Sequence, residues 1–203
     1  MGSGPLELGN DSISVNVKSP AGYSMGMIIR HNFTKMFTLE TGIHFASRSY
    51  PVSIQNTLSN FSANSKVDLV SYEIPIQWLL YIRLGERMYM NTIFGVSMDF
   101  FPSDVTVSEE NYAYYIQRDS WIKASLLASI GFEYRTKKSG YFYVGASVHS
   151  PFGNIGQFYI TYFHNDILTE DVSFNAPLNG TYFSAEIRYF FNKSDKSVDK
   201  LSN

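Results

Sequence analysis

Apolar and polar residues alternate with a period of two through most of this chain, the spacing at which side chains leave opposite faces of an extended strand. From Val70 to Leu84 the even positions are Val70, Tyr72, Ile74, Ile76, Trp78, Leu80, Ile82 and Leu84, while the odd ones include Ser71, Glu73, Gln77, Tyr81 and Arg83. From Trp121 to Arg135 the even set is Ile122, Ala124, Leu126, Ala128, Ile130, Phe132 and Tyr134, set against Lys123, Ser125, Ser129, Gly131, Glu133 and Arg135. The same division recurs over Ser12–Lys18, Tyr23–Asn32, Phe37–Tyr50, Met88–Phe100, Tyr141–His149 and Thr181–Phe191. Eight strands are thus predicted, several of them longer than the roughly 5 to 6 residues of an ordinary soluble strand.

The connections alternate in length. Asn32–Phe37, Leu84–Met88 and Thr136–Gly140 are tight, whereas Pro51–Leu69, Phe101–Ser120 and Ser150–Gly180 are long and polar; only Ser19–Gly22 breaks the series by being short. Short turns on one rim and long loops on the other are the habit of outer-membrane barrels. The expected fold is therefore all-β, an eight-stranded antiparallel transmembrane β-barrel over residues 12–191, with an N-terminal extension at 1–11 and a polar tail at 192–203.

Alternation alone leaves open which face is wet, since a soluble sandwich also shows it. The polar face decides the expectation. It carries Arg30, Glu40, His44, Arg48, Glu73, Arg83, Asp99, Lys123, Glu133, Arg135, Glu186 and Arg188, with Gly and Ser between them and both signs of charge present. Such a set suits a narrow barrel interior in which opposite charges pair, plugging the lumen. Tyr23, Phe100, Tyr134, Tyr189 and Phe191 stand near strand ends, where aromatic girdles meet the bilayer interface.

Composition sharpens this picture. The 15 Tyr and 16 Phe bring aromatic content to 16%, an enrichment that favours pleated, half-buried surfaces. No stretch approaches the roughly 18–20 apolar residues of a spanning helix, so a membrane-crossing chain would have to close its hydrogen bonds in a barrel. The net charge of −2 comes without a Lys/Arg cluster, which speaks against nucleic acid as a partner. The absence of Cys removes disulfide and thiolate chemistry. Met1-Gly2-Ser3-Gly4 lacks a basic region followed by an apolar core and reads as a start standing in place of a removed signal peptide.

The run Ser71-Tyr72-Glu73-Ile74-Pro75-Ile76-Gln77-Trp78-Leu79-Leu80-Tyr81, then Asn91-Thr92-Ile93-Phe94-Gly95-Val96, resembles the PorT-like small outer-membrane β-barrel domain of Bacteroidota. The ending Tyr182-Phe183-Ser184-Ala185-Glu186-Ile187-Arg188-Tyr189-Phe190-Phe191 is similar to its closing strand. The resemblance implies eight strands, an outer-membrane address and no particular reaction. Pro75 cannot donate to a ladder, so it should mark a bulge or an unpaired position.

Candidate chemistry is sparse. His149-Ser150, with Ser147 one strand step away and Glu170 or Asp171 beyond, could serve a lipid-modifying hydrolase; a structural role is the competing reading. His44, flanked in parity by Glu40 and Arg48, reads as part of the interior network rather than as a metal ligand. Asp99, Asp104, Glu109 and Glu110 lack the ligand spacing of a calcium loop. In the last long connection Phe158, Tyr159, Ile160, Tyr162 and Phe163 continue a β-like pattern, either as an exposed edge that pairs with a partner or as a segment packed on the rim. The expectation is a non-enzymatic structural or accessory subunit of an envelope assembly, without cofactor or metal. Its partners would be the lipid bilayer, lipopolysaccharide and other outer-membrane proteins; a hydrolase and a small-solute pore are the alternatives.

Overall fold

The computed structural model describes residues 6–9, 12–18, 21–32, 34, 37–136, 139–163 and 171–191. They contain thirteen strands and no helix: β1 (Leu6–Gly9), β2 (Ile13–Val17), β3 (Ala21–Asn32), β4 (Phe37–Asn56), β5 (Phe61–Arg83), β6 (Met88–Phe100), β7 (Val105–Ser108), β8 (Tyr112–Arg118), β9 (Ile122–Arg135), β10 (Tyr141–Pro151), β11 (Asn154–Tyr162), β12 (Val172–Asn179) and β13 (Tyr182–Phe190). Every pairing among them is antiparallel.

Seven strands form one wall in the order β3-β4-β5-β6-β9-β10-β13. The wall is rolled, because side chains from opposite ends of the series touch: Arg30 on β3 reaches Glu133 on β9, and Arg188 on β13 reaches Glu40 on β4. It is not closed among the described residues, since β3 pairs only with β4 and β13 only with β10. The expected eighth wall strand, Ser12–Lys18, is displaced. Its ordered part, β2, pairs with Val52–Asn56 beyond the top of the wall, and β1, inside the expected N-terminal extension, pairs with β2.

The three long connections prove to be strands as well. β4 and β5 run on past Tyr50 and Val70 to a tight turn at Thr57–Asn60, where Asn56 Oδ1 accepts from Leu58 N and Ser59 N and Asn60 takes a left-handed φ of 52°, a conformation Asn tolerates. β7–β8 extends the β6/β9 pair, and β11–β12 extends the β10/β13 pair. These hairpins build a second sheet, β12-β11-β8-β7, which packs on β2 and the upper parts of β4 and β5. Val15, Val52, Ile54, Val67, Tyr114, Phe158 and Ile160 form its buried core. The molecule is a rolled wall with a β-sandwich head on one rim, and the connections β3–β4, β5–β6 and β9–β10 lie on the other rim.

Pro75 sits opposite Ser97 on β6. On its other side the β4–β5 ladder is interrupted between the pairs Thr41–Ile76 and His44–Glu73 without a change of register, the unpaired position that a missing N–H imposes.

Polarity exchanges faces along β4 and β5. Below the head, the outward residues of β4 are Phe37, Leu39, Thr41, Ile43 and Phe45, and those of β5 are Tyr72, Ile74, Ile76, Trp78, Leu80 and Ile82. Above it, the same parities hold Ser49, Ser53 and Gln55 on β4 and Ser62, Asn64, Lys66 and Asp68 on β5. The inward parity changes in the opposite sense, from Glu40, Arg48, Glu73 and Gln77 below to Tyr50, Val52, Ile54, Val67 and Leu69 above, all of them buried.

Candidate functional site

Strand pleating sends one parity of each wall strand inward, and register decides which inward residues meet. Two ion networks result. In the lower one, Glu40 accepts from Arg30 Nε at 2.7 Å and from Arg188 Nη1 at 2.8 Å, and Arg188 also holds Glu186 at 2.6 Å. Arg30 Nη1 donates to Glu133 at 2.6 Å, and Glu133 further accepts from Arg135 Nε at 2.7 Å and Asn91 Nδ2 at 3.1 Å. Aromatic faces complete the shell, with Arg30 3.7 Å from the Phe190 ring centroid and Arg135 4.1 Å from that of Tyr89, distances at which a desolvated guanidinium gains cation–π energy.

In the upper network, beneath the head, Arg48 Nη2 donates to Glu73 at 2.6 Å, and Ser71 Oγ reaches the same carboxylate at 3.2 Å. The Tyr182 hydroxyl lies 3.1 Å from both Glu73 oxygens. Asp99 is held by His149 Nε2 at 2.7 Å, by Ser97 Oγ at 2.7 Å and by Ser125 Oγ. The His149 ring stacks on Tyr182 at 4.9 Å. Glu73 and Asp99 are register partners on adjacent strands, so two buried carboxylates lie side by side, with the Arg48 guanidinium and the His149 imidazole beside them.

Ligand atoms of Glu73, Asp99 and His149 lie within 4.8 Å of one another. The arrangement is a closed network rather than a ready metal cradle. His149 turns Nε2 to Asp99 and Nδ1 toward Glu73 at 3.6 Å, so its two nitrogens serve two carboxylates, and Arg48 already pairs with Glu73. Among the described residues, the candidate serines and His149 are likewise not brought into a hydrolase geometry. Ser150 Oγ bonds Thr181 Oγ1 at 3.1 Å on the other face of β10 from His149, and Ser147 Oγ bonds Ser184 Oγ at 2.7 Å. Ser125 and His149 do meet, but through Asp99 in the middle, whereas activating a serine needs the imidazole between hydroxyl and carboxylate. Glu170 lies outside the described residues.

Of the expected interior residues, Arg30, Glu40, Arg48, Glu73, Asp99, Glu133, Arg135, Glu186 and Arg188 join these networks, and His44 lines the cavity between them. Arg83 and Lys123 do not join. Arg83 Nε caps the Gly85 carbonyl at 2.9 Å in the lower turn, and Lys123 pairs with Asp119 at 2.7 Å on the upper rim, because both stand at strand ends where the lumen opens. Tyr182, Ser97, Ser125 and Asn91 are network members that charge alone does not single out; their shared inward parity with Glu186, Asp99 and Glu133 is the signal that does. Leu79, Tyr81, Ile93 and Tyr143 form a small buried cluster beside the lower network. A cavity of about 1260 Å³ remains inside the wall and opens between β3 and β13.

In the head, β11 is paired on both sides, with β8 and with β12. Phe158, Ile160 and Tyr162 are buried in the sandwich core, Tyr159 stacks on Tyr115 outside it, and Phe163 N bonds the Asn111 carbonyl. The exposed-edge expectation for this segment does not hold: it is an interior strand. The acidic residues Asp99, Asp104, Glu109 and Glu110 do not converge, because Asp99 belongs to the lumen. Asp104 instead binds Arg118 N at 3.0 Å and the Tyr115 hydroxyl at 2.9 Å, and these bonds, the backbone one foremost, hold its carboxyl below the usual aspartate range. Accepted by Asp104, the Tyr115 hydroxyl is pushed up, while burial between the two sheets pushes up that of Tyr114.

Comparison with protein-family models, with curated proteins and with solved structures finds no match to this chain. The family resemblance rests on the residues quoted for it.

Proposed function

We propose that the protein is an integral outer-membrane β-barrel with a plugged lumen, whose β-sandwich head stands in water on one rim and serves as the docking surface of a larger envelope assembly. The observation that carries this reading is the exchange of polarity along β4 and β5. One continuous strand cannot turn its oily side outward in its lower half and inward in its upper half unless the two halves meet different solvents. Hydrocarbon below and water above satisfy both halves.

The rest of the wall supports the same solvent. Outward positions below the head are mostly apolar on all seven strands, among them Met27, Phe94, Val96, Leu126, Ile130, Phe132, Val144 and Ile187, all exposed, with Thr41 and Thr92 among the polar exceptions. In water so large a patch would drive association. The ionised residues are turned into the roll and paired, which suits a structural interior. The head, a sandwich built from all three long connections, supports an accessory role.

The test is isolation of native complexes from detergent-extracted outer membranes after mild crosslinking in cells. A defined envelope partner that is lost when Gln55 and Lys66 on the head's outer face are each replaced by Glu supports the reading. Recovery of the protein alone, together with lipid hydrolysis or stable conductance in planar bilayers, contradicts it.

A further inference from the structure

The two outer faces of the head differ in one respect. On the side made by β2 and the upper parts of β4 and β5, the outward residues include Ser14, Asn16, Ser53, Gln55, Asn64 and Lys66, and none of the outward positions there is aromatic. The face made by β7, β8, β11 and β12 carries two tyrosines at its centre. Register sets Thr106, Tyr115, Tyr159 and Asn175 in one row across the four strands, a width of about 14 Å at the usual strand spacing. Gln117 and Gln157 stand side by side in the row on one flank. Thr161 and Ser173 stand in the row on the other, joined by a 2.9 Å bond between their hydroxyls.

A cross-strand aromatic pair steadies any sheet, so the pair by itself says nothing about a ligand. Its anchoring and its surroundings do. The Tyr115 hydroxyl donates to Asp104 Oδ2 at 2.9 Å, and Asp104 Oδ1 is fixed by Arg118 N at 3.0 Å. The two rings lie 26° from parallel with centroids 6.3 Å apart, an offset that leaves each with a face the other does not cover, and Tyr159 is 36% exposed. Aromatic surface held rigid in water is what a preformed site provides. Around the rings stand side-chain amides, each offering donors and an acceptor together. No outward position on these four strands is charged. Asp104 and Arg118 pair with each other at 3.4 Å at one end of the face, and Glu109 and Glu110 form the β7–β8 turn at the other.

A sugar ring matches this arrangement. Its C–H face packs on an aromatic ring, and its rim hydroxyls both donate and accept. We propose that the outer face of the β12-β11-β8-β7 sheet is a platform for an uncharged polysaccharide, with Tyr115 and Tyr159 stacking on sugar rings and Gln117, Gln157 and Asn175 bonding the ring hydroxyls. Other occupants fit less well. A polyanion, whether nucleic acid or acidic glycan, meets no cation on the outward positions and finds acids beside them. A protein partner would bring apolar side chains, for which the face offers, besides the two rings, only Ala113 and Pro177. The platform lies on the opposite side of the head from Gln55 and Lys66 and needs only water around it, so failure of the membrane reading would leave it standing.

The experiment is calorimetric titration of the full chain, in a sugar-free zwitterionic detergent, with hexasaccharides of glucose, mannose, xylose and N-acetylglucosamine. Heparin and an oligothymidylate serve as anionic controls. The expected result is binding of at least one uncharged hexasaccharide with a dissociation constant below about 1 mM. Tyr159→Ala should weaken that binding at least about tenfold and Gln157→Ala, which leaves both rings in place, at least about threefold, while Ser14→Ala on the opposite face leaves it unchanged. If Tyr159→Ala disturbs the head, seen as a lower urea midpoint, Gln157→Ala decides alone. Absence of binding by every uncharged hexasaccharide at about 10 mM, tighter binding of either anion, or sugar binding indifferent to Gln157→Ala overturns the proposal. So does crosslinking of a protein, with no sugar bound, through a photoreactive residue placed at position 157.

Discussion

Glu73 shows what the interior charges contribute. It is 3% exposed, bonded by Arg48, Ser71 and Tyr182, and it faces His44 and Asp99 across the two ladders. Glu73→Gln keeps the shape and strands the Arg48 guanidinium, so a loss of about 3–5 kcal/mol is expected, read as a lower urea midpoint in detergent micelles. Lys123→Gln, whose partner Asp119 is half exposed, should cost no more than about 1 kcal/mol. In the head, the folded state holds the Asp104 carboxyl below its ordinary range. That bond network is fully present above the unfolded pKa, near 4, and weakens as pH falls through the lower, folded value. Tyr115 fluorescence and proteolysis of the β7–β8 hairpin should therefore report loosening in acid, and Asp104→Asn should remove that acid dependence.

At the level of elements, the alternation identifies the wall strands well, because a face that meets one medium along its whole length writes a regular period into the sequence. Seven of the eight expected strands stand in the wall; five of them lie within two residues of their expected ends, while β4 runs on past Tyr50 to Asn56 and β5 begins at Phe61, well before Val70. The upper parts of β4 and β5 read as a polar loop for the opposite reason: past Tyr50 and before Val70 the apolar parity changes face, and a search for one continuous outward stripe stops there. Val52, Ile54, Val67 and Leu69 hold a strand period of their own, legible once two media are allowed. The ion networks were readable as a set of inward charges, but not as two clusters, since clustering depends on the roll bringing β3 to β9 and β5 to β10. The exchange of faces also predicts how substitutions behave. Phe94→Arg, outward in mid-wall, should destabilise the protein by about 2–4 kcal/mol in bilayers, whereas Gln55→Arg, outward in the head, should change stability by less than about 0.5 kcal/mol. Chemical denaturation from lipid vesicles compares the two directly.

On the scale of the whole molecule, the proposed reading makes the chain one object in two solvents: a rolled wall whose charged groups are turned inward, continued without a break into a sandwich whose oily groups are turned inward. Its 2 Trp residues stand where they can report this. Trp78 is outward at mid-wall, 44% exposed and stacked on Phe94, and Trp121 is at the upper rim, 64% exposed against Phe100. The most direct measurement is quenching of each by phospholipids brominated at different acyl depths, using Trp121→Phe and Trp78→Phe variants reconstituted in vesicles. The account predicts that Trp78 is quenched most by bromine deep in the acyl chains and is shielded from aqueous iodide, while Trp121 is quenched most by bromine near the headgroups. Quenching of Trp78 by iodide, with no response to brominated lipid at any depth, would contradict it.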